Sequence, residues 1–141
     1  MARLYMNEEL HQFGLAWLEK ASHDLETARR LTEGYMPITD VAVYHCQQAA
    51  EKSLKAMLVV RGLPVSKTHD LMALLSQCLE FVPDANHWID AASILTPYAT
   101  HYRYPTGDPD PDLAVTAEAL KHATELYAYA ASHLGVTPEG G

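Results

Sequence analysis

The chain has 141 residues, 20% charged and 48% hydrophobic, with a formal net charge of −8. That balance fits one globular domain with a real core and is short for two. The acidic excess argues against broad, sequence-blind affinity for nucleic acid, which needs surplus Lys and Arg against phosphate, though a local basic groove is compatible with it. No apolar run approaches the roughly 20 residues of a bilayer span. The N-terminus turns acidic at Glu8 and Glu9 before an apolar stretch develops, so no secretion signal is expected and a cytoplasmic location is the default. Eight histidines would offset part of the negative charge in mild acid.

A first helix is predicted from about Glu8 to Leu31, with Leu10, Phe13, Trp17, Leu18, Ala21, Leu25 and Ala28 near helical spacing. Gly34 and Pro37 end it. A second helix starts after Thr39 or Asp40, either a suitable N-cap, and runs to Val60 or Arg61 before Gly62-Leu63-Pro64. Thr68 is the expected N-cap of a third helix, His69 to Phe81. Ala85 to His101 reads as a fourth, kinked or broken at Pro97. Pro105 to Asp112 is a loop, and a last helix spans Leu113 to Leu134, closed by Gly135. No segment alternates with strand period over a useful length. The fold class is therefore all-α, an up-and-down bundle of four to five helices. It forms a single domain over 1–141, with its core over about 8–134 and a flexible tail at 135–141.

The second helix carries most of the information. Ala42, Cys46, Ala49, Ala50, Ser53 and Ala56 make it narrow, so neighbours can approach closely. His45, Gln48, Lys52 and Lys55 set polar groups along the same rod. Cys46 and Cys78 sit inside helical patterns without metal-site spacing and read as buried free thiols.

Trp17 with Ala21, Asp24-Leu25 and Ala28 opens a longer series of motifs. It continues through His45, the run Gln47-Gln48-Ala49-Ala50-Glu51-Lys52-Ser53-Leu54-Lys55-Ala56, then Lys67-Thr68-His69-Asp70-Leu71, and ends at Tyr98 and Arg103-Tyr104-Pro105. In that order and spacing, from about Trp17 to Leu134, the chain resembles the HEPN domain family. The resemblance implies a helical bundle that commonly forms homodimers. It also implies a frequent neighbour, a minimal nucleotidyltransferase, with which such proteins can act as a toxin–antitoxin-type pair. Many members are metal-independent ribonucleases whose signature is an Arg, four to six intervening residues, and a His. This chain departs from it. The first histidine after Arg103 is His122, and seven residues separate Arg61 from His69 and Arg3 from His11.

Candidate chemistry centres on His45, Gln48, Lys52, Lys55, His69, Arg103 and Tyr104, as a pocket for a nucleotide or RNA. Lysine supplies point charge and arginine a planar fork for phosphate oxygens. Lys67 could join them. The plainer alternative has Lys52 and Lys55 paired with Glu51 or with acids on another helix, and His45 and Gln48 satisfying buried interhelical hydrogen bonds. His69-Asp70 could orient an imidazole for acid–base work, or Asp70 could simply favour a helix N-terminus while His69 bonds nearby backbone. Tyr98, Tyr102 and Tyr104 around Arg103 suit base stacking, packing or a dimer contact. Glu8-x-x-His11 lacks a second Glu-x-x-His, and Asp108, Asp110 and Asp112 lack the glycine and glutamate of a calcium loop, so no metal or other cofactor is expected. The leading reading is a homodimeric interaction module that pairs with a nucleotidyltransferase. The alternative is a ribonuclease with a non-standard site, such as Arg103 with His45, His69 or His101.

Overall fold

In a computed structural model, described over residues 2–136 with side chains from Asn7 onward, five α-helices and two short 3-10 turns form one bundle. Helix α1 (Ala2–Thr32) and helix α2 (Thr39–Val59) form an antiparallel hairpin. Short helices α3 (Leu71–Cys78) and α4 (Ile89–Leu95) cross one flank, and α5 (Leu113–His133) returns along the core. Among the described residues there is no strand.

Helix α2 is the central rod because its small side chains let three neighbours close on it. Ala42, Ala49, Ala50, Ser53 and Ala56 are all fully buried, and large residues from the surrounding helices, such as Leu25, Leu74, Leu75 and Leu126, fill the space they leave. At the opposite end from the hairpin turn, Gly14 of α1 lies against Val60 and Leu134. A β-carbon there would also come within 3.3 Å of the Ala56 carbonyl. The ends of α2 and α5 are therefore level, and since both helices have 21 residues their N-termini are level too. Those two N-termini share one end of the bundle with the α1–α2 turn, called here the hairpin end.

Several boundaries differ from the sequence-based expectation. Helix α1 starts at Ala2 rather than near Glu8. Helix α2 takes in Thr39 and Asp40. Ile38 holds the cap position without a side-chain bond, because isoleucine carries no acceptor, and its own N–H donates to the Leu31 carbonyl at 2.8 Å. Asp70, not Thr68, caps α3 by accepting from the Met72 N–H, while the Thr68 hydroxyl accepts from the Asp70 N–H at 3.1 Å. The predicted fourth helix is three pieces. Pro83–Trp88 and Thr96–Ala99 are 3-10 turns with proline in their first turn, leaving only Ile89–Leu95 as α-helix. Helix α5 fits its expected span and is capped by Asp112, whose carboxylate accepts from the Val115 N–H at 2.8 Å. Its far end closes through the left-handed Gly135 (φ 76°) and a bond from the Val136 N–H to the Ala131 carbonyl. The rest of the expected tail, 137–141, lies outside the described residues.

Candidate functional site

Two carboxylates, each almost closed off from solvent, organise the polar residues of α2. Asp24 projects from α1, where Ala21, Leu25 and Ala28 are otherwise apolar and buried. Its Oδ2 accepts from Lys52 Nζ at 2.6 Å, and its Oδ1 lies 2.8 Å from His45 Nδ1. Glu51 belongs to α2 itself. Its Oε2 accepts from Lys55 Nζ at 2.9 Å, one turn along, and its Oε1 lies 2.8 Å from His69 Nδ1. The fully buried Gln47 completes this second network: its amide NH2 donates to Glu51 Oε1 and to the His69 carbonyl, and its Oε1 accepts from Gln48. Every polar atom of the Gln47 side chain is thus satisfied.

Burial alone would push both carboxyls upward. For Asp24 the hydrogen bonds from His45 and Lys52 outweigh it and hold the group below its ordinary value. For Glu51 the bonds from Lys55, His69 and Gln47 do the same. Both are therefore ionised at neutral pH. An ionised carboxylate only accepts, so Nδ1 of each histidine carries a proton, and Nε2 of neither ring has a hydrogen-bond partner among the described residues. The two thiols contribute no nucleophile: burial pushes Cys46 and Cys78 up to about 12.

Of the candidate cations, Lys52 and Lys55 are thus engaged internally, as in the plainer sequence reading. Lys55 is further covered by Trp17, whose ring centroid is 5.7 Å from its Nζ. Arg103 is different. Its guanidinium carbon lies 5.3 Å from the Tyr44 ring centroid and 5.9 Å from that of Tyr104, with no carboxylate partner among the described residues. The Tyr44 ring in turn sits 5.4 Å from His45, edge to face. Tyr104 is 70% exposed, so one aromatic face beside the arginine is open. Tyr98 and Tyr102 stack on each other at 6.1 Å and pack against the core. Lys67 is exposed.

The sequence-predicted residues therefore fall into three groups. His45 and Lys52 meet at Asp24; Lys55, His69 and, through Gln47, Gln48 meet at Glu51; Arg103 and Tyr104 form a separate cradle with Tyr44. His69 bonds a buried carboxylate rather than nearby backbone, which corrects the plainer expectation for it. His101 pairs with Asp108 at 3.2 Å on the exposed loop. Tyr44 and the hub role of Asp24 escape the sequence reading. A lone acid within the apolar stripe of α1 is the available signal for Asp24; nothing local marks Tyr44.

Among the described residues no helix is long and apolar enough to cross a membrane. No curated protein matches the chain. Among solved structures it is similar to TT1696 from Thermus thermophilus, with 29% identity and a TM-score of 0.71, over 84% of this chain and 96% of that one. It also shares its fold with ST0689, an archaeal HEPN homologue, at 24% identity and a TM-score of 0.67, over 86% of this chain and 97% of that one. The HEPN domain model matches residues 15–134, which includes both carboxylate networks and the arginine cradle. The chain belongs to the HEPN domain family.

Proposed function

We propose that this protein is a HEPN-type interaction module that works as a homodimer, pairs with a minimal nucleotidyltransferase in a toxin–antitoxin-like system, and holds a nucleotide at the Arg103 cradle. One observation carries the nucleotide site. The two lysines of α2 are engaged by buried carboxylates, whereas Arg103 keeps its fork of donors unpaired between two tyrosines. A guanidinium so placed suits phosphate oxygens, and the open face of Tyr104 suits a base. The test is ATP titration by calorimetry. Arg103→Ala should weaken binding by about tenfold or more, the loss of one charge-assisted bidentate contact. Affinity unchanged by Arg103→Ala removes the cradle from the site. Co-expression with the nucleotidyltransferase encoded nearest to this gene tests the pairing; failure of the two to co-purify counts against it.

A second reading, RNA cleavage at a non-standard site, has its own support. Two imidazoles are each oriented by a carboxylate with Nε2 free, the arrangement that general acid–base transfer requires. Incubation with single-stranded RNA decides it. Cleavage by the wild type that is lost in His45→Gln, His69→Gln or Arg103→Ala would replace the interaction-module reading.

A further inference from the structure

Helix α1 does not stop where the bundle does. Gly14 lies against Val60 and Leu134, just past the last residues of α2 and α5. From there α1 continues back to Ala2, about 18 Å of further helix. The HEPN match begins at residue 15, so this arm stands outside what the family shares. Leu10 still touches the bundle, its Cδ1 lying 3.5 Å from where a β-carbon on Gly62 would sit. Asn7, Glu8, Glu9 and Gln12 are exposed, and Phe13 is 63% exposed. Leu10, Phe13 and Trp17, at i, i+3 and i+7, line one flank of the helix, and Leu10 and Trp17 are only half-buried. Anchors at that spacing are what an amphipathic helix lays into a groove of another protein. Glu9, one turn before Phe13, borders the stripe.

We infer that this arm docks into a partner protein whose apolar groove is rimmed by lysine or arginine. Charge selects the occupant. From Asn7 to Glu19 the helix carries Glu8, Glu9 and Glu19 and neither lysine nor arginine. Such a surface repels nucleic acid and anionic lipid, and a second copy, at a net −8, brings mainly more acid to it. A protein groove with a basic rim meets both the apolar stripe and the glutamates. The inference rests on the proposed function and gives its nucleotidyltransferase pairing a surface, because an enzyme that grips triphosphates gathers lysine and arginine at its cleft. A partner held here leaves the Arg103 cradle open. That cradle lies at the far end of the bundle, where Arg103 rests on Tyr44 in the second turn of α2.

Calorimetric titration of the full chain with the nucleotidyltransferase encoded nearest to this gene, at low and high salt, tests this. Phe13→Ala should weaken binding by about tenfold or more, as loss of an aromatic anchor does. The double variant Glu8→Lys, Glu9→Lys should weaken it as much and abolish the loss of affinity that salt causes in the wild type. These side chains are exposed at or beyond the end of the bundle, so both variants should keep their helical circular dichroism. Tyr35→Asp with Met36→Asp, on the exposed turn at the hairpin end, should bind as the wild type does. No complex with the wild type would overturn the pairing and this docking with it. A complex that both arm variants leave intact, or that the hairpin-end variant breaks instead, would overturn the arm alone. Light scattering on the chain by itself covers the other occupant: a mass halved by Phe13→Ala would make the arm a contact between copies and overturn the basic partner.

Discussion

The two carboxylate networks of α2 are built from the same parts and differ in how far they reach into the core. Each has one acid, one lysine and one histidine bound through Nδ1. Around Glu51 the lysine is 7% exposed and the acid 5%, and a fully buried glutamine adds further bonds. Around Asp24 the acid is 10% exposed, but Lys52 and His45 stand at 24% and 26% and still reach water. The contrast separates a structural core pair from one that borders the surface. Taking charge from water costs several kcal/mol per ion, so what matters is what happens to the partner left behind when one member is removed.

Glu51→Gln should give the largest effect. It removes the counter-charge from the buried Lys55 ammonium, leaving a neutral amide oxygen and the Trp17 face to meet it, and a loss of about 3–5 kcal/mol in urea unfolding is expected. Asp24→Asn should cost about 1–2 kcal/mol, between the buried and the surface cases, since Lys52 can swing its head to solvent. Equal losses in the two variants would mean that burial does not distinguish the networks.

Acid should act on both carboxylates in the same direction. Each is held below its ordinary value in the fold, 3.8 for Asp24 and 4.5 for Glu51. The unfolded chain therefore binds protons first as pH falls. The stability these groups contribute is fully present above their ordinary values and is lost as pH drops through the depressed native ones. Unfolding free energy measured downward from pH 6 should fall more gently in Glu51→Gln than in the wild type. Parallel curves would show that Glu51 contributes no such linkage.

The same contrast explains what can be read from the sequence. Helix α2 is legible throughout because glycine, proline and small residues punctuate it locally, and the Lys55–Glu51 pair follows from spacing of four along one helix. The Asp24 pairs are not legible. Its partners lie 21 and 28 residues away on another helix, and only the packing of α1 on α2 brings them together. His69 is hidden for the same reason, because the sequence offers it neighbouring backbone while the fold offers it Glu51. The break expected at Pro97 is present, but the fourth helix still reads too long, because apolar spacing from Trp88 to Leu95 does not show that the residues after Pro83 and around Pro97 wind as 3-10 turns. Arg103 stands out by composition, but Tyr44, the ring beneath it, is simply one more aromatic on a helix until the loop folds back.

The smallest effects should come from the histidines, and they bear on function more than on stability. His69 is 61% exposed, so His69→Gln should cost well under about 1 kcal/mol even though its partner is buried; Lys55 and Gln47 still satisfy Glu51. His45→Gln should cost somewhat more, because His45 is less exposed and Asp24 has only Lys52 besides. The sharper measurement is the tautomer. Nitrogen-15 NMR of the imidazoles at alkaline pH should show both rings protonated at Nδ1, whereas free neutral histidine favours Nε2. A ring found protonated at Nε2 would lack the bond to its carboxylate and with it the free acceptor edge on which acid–base chemistry depends. If only one ring shows Nδ1–H, the likeness between the networks is geometric and the acid–base reading keeps a single imidazole. If both do, the buried network orients its histidine as firmly as the bordering one, although only the latter's ring lies against Tyr44 and the arginine cradle.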